Sequence, residues 1–266
     1  MRKSTRPGFL ALVFSLLGSL AIIAAGCRSI VTPPSETVKP PVSTVPPPVI
    51  IVQRIPATPT AIPSSTSTVL PLQPTATPTP ILPDEHYILN ISGHRQYFPL
   101  GCEAATAKDW ANYFGKDFNE FEFQYKLPIS DNPDLGFVGS VNSPWGQVPP
   151  YGYGVYAGPV AALLNTYGIP AKAYKGYTLE QIKAKIAADK PVIVWVIGNV
   201  VGGVPAEYTD AHGNKTLVAA YEHVVIVTGY NQDHIRYMNN GRFFETPDTV
   251  LLNSWGVLGN MVIVDK

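Results

Sequence analysis

Cys102 stands at the start of an expected helix, in the run Gln96-Tyr97-Phe98-Pro99-Leu100-Gly101-Cys102-Glu103-Ala104-Ala105. A thiol at a helix N-terminus meets free backbone amides and partial positive charge, which favour the thiolate and predict a nucleophile at neutral pH. Gln96, six residues upstream, is placed to send its side-chain amide back over that thiol. Together with the Cys102 backbone N–H it would make an oxyanion hole. A thiol nucleophile needs a base. Of the five histidines, His86 and His94 fall near the start of the domain, His212 in a Gly-containing stretch and His234 in a turn. Only His223 enters an apolar strand, Glu222-His223-Val224-Val225-Ile226-Val227-Thr228-Gly229-Tyr230, where its ring would be held rigidly.

A base histidine also needs an orienting partner on its second nitrogen. Asn239 closes the next expected strand, on the same side as Ile235 and Tyr237. Asn240, one residue on, is expected to face away. Asn253 is the rival, but Thr246-Pro247-Asp248 reads as a cap, a proline at the first helical position and an acid in the first turn, which puts Asn253 on a helix. Asn239 is the preferred partner, with Asn240 and Asn253 as alternatives. No two histidines have metal-ligand spacing and the thiol stands alone, so neither a metal nor another cofactor is expected.

The chain divides by composition into three parts. Residues 1–26 carry Arg2, Lys3 and Arg6, then an apolar run to Ala25, then small residues before Cys27. This reads as a lipoprotein-type signal peptide, with Cys27 the lipidated first residue of a protein on the extracellular face of a bacterial membrane. An uncleaved transmembrane anchor is the alternative. Residues 27–83 hold more than half of the chain's 27 prolines, many threonines and no aromatic residue, so they cannot build a core. They are expected to be a disordered, extended stalk. Residues 84–266 contain every Trp and Tyr and form the expected catalytic domain. With Cys27 lipidated, Cys102 has no disulfide partner. The 19 basic and 19 acidic residues balance, and no basic cluster argues for nucleic acid as a partner. A monomer is expected.

Within the domain the pattern predicts a strand over 87–91, a helix from Cys102 to Phe114 stopped by Gly115, and an aromatic-rich loop over 126–154 walling a cleft. A helix over 155–167 follows, then one opened by the capping box Thr178-Leu179-Glu180-Gln181. A strand over 191–197, a Gly-containing excursion over 198–220 and a hairpin of 222–230 with 235–239 come next. Helices first and strands last predict an α+β fold, helices packed on a C-terminal antiparallel sheet.

These segments resemble the papain-like bacteriocin-leader (double-glycine) cysteine peptidases and their standalone secreted relatives. The resemblance runs through Gly101-Cys102-Glu103-Ala104-Ala105, Asn132-Pro133-Asp134-Leu135-Gly136-Phe137, Gly154-Val155-Tyr156-Ala157-Gly158-Pro159, His223–Tyr230 and Ser254-Trp255-Gly256. It implies a papain-like fold with Cys102 as nucleophile, His223 as base and Gln96 as oxyanion donor. The family's usual third residue, Asp, falls on Asn239 or Asn240. Asn253-Ser254-Trp255-Gly256 also copies a papain string. The implied activity is hydrolysis of a peptide or protein substrate by a Cys-His-Asn mechanism. A cell-wall peptide amidase or acyl transferase using the same Cys/His pair, and an inactive domain binding peptide or wall polymer, are the competing readings.

Overall fold

Two strands with no polar alternation, Val192–Ile197 (β3) and Glu222–Tyr230 (β6), are buried at every position and form the middle of the sheet. Continuous β-branched runs of this kind suit strands covered on both faces. The structure is a computed structural model in which residues 82–266 are described. The signal segment 1–26, Cys27 and nearly all of the 27–83 stalk lie outside the described residues.

The remaining elements are β1 (His86–Tyr87), α1 (Cys102–Tyr113), α2 (Glu120–Lys126), α3 (Ala157–Thr166), β2 (Ala171–Tyr174) and α4 (Leu179–Ala187). After β3 come β4 (Ala206–Thr209) and β5 (Lys215–Val218); after β6 come β7 (His234–Asn239), β8 (Arg242–Pro247), α5 (Asp248–Trp255), a 3₁₀ turn (Gly256–Leu258) and β9 (Val262–Asp265). The main sheet runs β2-β9-β3-β6-β7-β8, with β1 added at the far end of β6. Every pairing in it is antiparallel. The fold is the expected α+β arrangement, helices packed on an antiparallel sheet.

The helices have physical starts and stops. α4 opens with the full capping box: the Thr178 hydroxyl accepts from Gln181 N and the Gln181 side chain accepts from Thr178 N. Asn119 caps α2 through Glu122 N at 3.0 Å. α1 stops at Gly115, whose φ of 70° lies in the left-handed region. It carries Ala104, Ala105, Ala107 and Ala111 on buried positions, small enough for close approach to the sheet. Trp110 fills the space beyond them, and its indole N–H donates to Pro191 O at 2.7 Å. Trp195, on β3, donates to Val155 O at 3.1 Å and so ties the loop before α3 to the sheet.

Several elements differ from the sequence expectation. The strand expected over 87–91 stops at Tyr87, because the Arg236 guanidinium takes the Ile88 carbonyl at 2.5 Å. The 198–220 excursion holds the β4–β5 hairpin. β2 and β9 are four-residue strands too short to show a period. α5 begins at Asp248, not at the Thr246 start the sequence suggested: Thr246 and Pro247 stay extended in β8, paired with Ile235 and His234.

Replacing the fully buried Trp195 by Ala should remove a large side chain and orphan the Val155 carbonyl. The expected cost is about 3–5 kcal/mol, read as a fall in the denaturation midpoint at unchanged m-value.

Candidate active site

The site lies where the first turn of α1 meets the start of β6. Gly101 caps α1 without any side-chain acceptor, so the first-turn amides remain uncommitted to a cap. Cys102 follows, buried, as the first helical residue. Thr106, one turn on, donates to Val224 O on β6, and this strand also carries His223. Cys102, His223, Gln96, Asn239 and Asn240 line one small cavity.

Sheet register sets the next contact. β6 and β7 pair Ile226 with Met238 and Val227 with Tyr237. Continuing that register puts Asn239 diagonal to His223 on the same face. The two meet: His223 Nε2 and Asn239 Oδ1 are 2.8 Å apart. The Asn239 amide in turn donates to Asn199 Oδ1 at 3.0 Å. With Nε2 engaged, Nδ1 is the ring nitrogen left for chemistry. Trp145, from the aromatic loop, stands edge-on to the His223 ring with centroids 6.1 Å apart and donates to Glu222 O at 2.9 Å. Burial lowers the His223 pKa, and the Asn239 bond partly offsets it.

Asn240 does not face away. It sits in the left-handed region at φ 49°, where strand alternation no longer applies. There its Oδ1 accepts from Gln96 N at 2.9 Å and its amide donates to Asn239 Oδ1 at 3.0 Å. It therefore holds both neighbours of the cavity. Asn253 lies exposed on α5 against the Gly202 turn, away from the His223 ring's partners. Gln96 lines the cavity with the thiol, but its amide hydrogens go to Phe98 O at 2.9 Å and Pro99 O at 3.2 Å. His94 anchors the same loop: its ring bonds Asp109 and Glu120, and its backbone N–H donates to Asp109.

The thiol's electrostatics oppose the sequence expectation. The helix terminus predicted a lowered pKa for Cys102. Instead burial raises it well above the usual thiol range, and the charges of Glu103 and Glu222 add to that, against a backbone bond from Val224 that lowers it. Sγ donates to Glu103 Oε2 at 3.2 Å. Neither carboxyl was legible as a site residue, since both read as ordinary polar neighbours of the motif residues. Trp145 was foreseen only as one of several aromatics in a wall loop.

Two larger depressions flank this point. One of about 430 Å³ runs along Tyr97, Phe98, Trp145 and Asn199 to the His223 ring. The other, about 460 Å³, is walled by Ile197, Val201, Val204 and Tyr221, and shares Trp145 with the first. The first shares Gln96, His223, Asn239 and Asn240 with the Cys102 cavity.

Residues 88–255 match the model of the Peptidase_C39-like family. The chain belongs to that family. It is a cysteine-type peptidase with a papain-like fold. A crystal structure of a C39-like peptidase from Bacillus anthracis shares the fold at 20% identity and a TM-score of 0.61. That alignment covers 69% of this chain and 98% of the other. Xylellain, a cysteine protease from Xylella fastidiosa, aligns at 14% identity and a TM-score of 0.39, covering 70% of this chain and 87% of the other. No curated protein matches the sequence.

The geometry predicts a ring titration. Followed by NMR, the His223 imidazole should titrate below the ordinary value of about 6.5. Asn239→Ala, which removes the group that favours the charged ring, should move the midpoint lower still; an unmoved midpoint would show that the bond does not act on the ring.

Proposed function

We propose that this member of the family hydrolyses peptide bonds by a Cys-His-Asn mechanism on the outer face of a bacterial membrane. The observation that carries the mechanism is the His223 Nε2–Asn239 Oδ1 bond in a cavity shared with Cys102. It leaves Nδ1 to exchange a proton with the thiol. The Cys102 thiolate attacks the substrate carbonyl while His223 holds the proton. The Cys102 backbone N–H and the Gln96 amide stabilise the oxyanion, Gln96 exchanging one of its loop carbonyls for the substrate oxygen. His223 then protonates the leaving amine. Water, giving a proton back to His223, attacks the acyl-enzyme and frees the thiol. Asn239 orients the ring, and Asn240 holds Asn239 and the Gln96 backbone in place.

Substrates of this reading are peptides or unfolded segments lying extended past Trp145, taken by a monomer. Cys102→Ala should abolish cleavage of a general peptide library with the melting temperature kept, and His223→Ala should lower kcat by about 10²-fold or more. Asn239→Ala should cost less, about tenfold, and Asn239→Asp should keep much of the rate. Equal losses from Asn253→Ala, with unchanged melting, would move the orienting role to α5. Turnover of purified peptidoglycan without cleavage of the library would replace this reading by the amidase one.

Membrane attachment is proposed through lipidated Cys27, on the strength of Ala24-Ala25-Gly26-Cys27 and the apolar run before it. Cys27→Ala should release the protein or leave it unprocessed. Retention of residues 1–26 by the wild-type protein itself, with Cys27→Ala changing neither its size nor its membrane attachment, would make the segment a transmembrane anchor.

A further inference from the structure

Beneath the nucleophile lie two carboxyls with no cation to neutralise them. Glu103 and Glu222 are buried, and one carboxylate oxygen of each and Cys102 Sγ all lie within 4.8 Å of one another. Glu103 Oε1 accepts from Val155 N at 2.6 Å, and Oε2 accepts from the thiol. Both Glu222 oxygens are buried without any hydrogen-bond partner. The backbone closes over the pair: a Cβ on Gly154, at φ 130°, would stand 2.3 Å from Glu103 Oε1 and 3.1 Å from Glu222 Oε2. The titratable groups facing the pair are Cys102 from α1, and Tyr153 and Tyr156 from the loop before α3. These hydroxyls bond each other, with Ala219 N donating to Tyr153 and Tyr156 donating to Leu217 O. Across the thiol cavity stand His94 and Asp109, already bonded to each other. Among the described residues, no lysine or arginine bonds either carboxyl.

Two unneutralised carboxylates this close and this buried cannot both stay ionised, so at least one proton resides between them. An unpartnered Glu222 oxygen is where an acidic O–H belongs, with Glu103 as its acceptor. We propose that Glu103 and Glu222 form a proton-sharing carboxyl pair that sets the direction of the hydrogen bond to Cys102, and so readies the nucleophile when the pH falls. With one proton on the pair, Glu103 is charged and accepts S–H, and the sulfur stays a thiol. With two, Glu103 donates O–H to the sulfur, and the thiol proton passes to His223 Nδ1, giving thiolate and imidazolium. Burial pushes the Glu103 pKa to about 7 and raises that of Glu222 well above the carboxylate range, with Glu103's charge adding to it. The inference rests on Cys102 being the nucleophile. It makes Glu103 and Glu222 positioning residues for its proton.

The test is the pH dependence of Cys102 alkylation by iodoacetamide in the full-length protein, read by mass spectrometry of the Cys102 peptide. Alkylation needs no turnover, so loss of this inference and loss of the peptidase reading (cleavage surviving Cys102→Ala) are seen separately. Wild-type reactivity should decline as pH rises from about 6 to about 8. Glu103→Gln keeps an acceptor for Val155 N. It should abolish the decline and alkylate about tenfold faster than wild type at about pH 8, with the ratio falling toward one in acid. Glu222→Gln, an amide that donates to a charged Glu103, should keep the decline and move it to lower pH. Superimposable curves, or one constant factor at every pH, would overturn the proposal. So would stoichiometric zinc in the purified protein that Glu222→Gln releases, which would make the cluster a metal site.

Discussion

Everything at the site depends on how closely α1 lies on β6. A thiol on a helix and an imidazole on a strand come into reach only if no large side chain separates the two backbones. Alanines at four buried positions of α1 permit that approach. Trp110 then fixes the depth, because its indole must be both packed and within reach of Pro191 O. Thr106 fixes the slide along the strand through Val224 O. The placing of Cys102 against His223 is thus a by-product of core packing, and a small shift of α1 would be felt at the thiol as well as in stability.

The second layer of positioning is polar and runs through asparagines. Asn199, Asn239 and Asn240 form a chain of amides from the β3 end to the Gln96 loop. An amide accepts and donates at once without titrating, so this chain orients His223 without adding charge beside it. A carboxylate at position 239 would hold the ring more strongly and still accept from Asn240, but it could not donate to Asn199, whose amide would have to turn. The charged groups are kept beneath the thiol instead.

Much of this was legible in the sequence. Cys102 is marked by its helix start, His223 by the apolar strand it enters, and Asn239 by strand alternation, each a local signal. Asn240 was misjudged because alternation fails at a left-handed residue, and nothing in the one-dimensional pattern marks where φ changes sign. The Glu103–Glu222 approach joins residues far apart in the chain through the α1–β6 contact, so only the assembled fold reveals it. The same is true of β2 and β9: each is four residues long, and its strand character comes from its neighbours rather than from its composition. Thr178 and Gln181, by contrast, carry their whole structural meaning within four residues.

β9 lies between β2 and β3 and is the strand through which β2 joins the sheet. For a chain made N-terminus first, β2 has no partner until residues 262–265 have been synthesised. Until then the sheet ends at β3, with Ile193 and Val194 lacking the neighbours they pair with on that side. That edge of the sheet therefore closes in one step once 262–265 are available, rather than by gradual accretion along the chain.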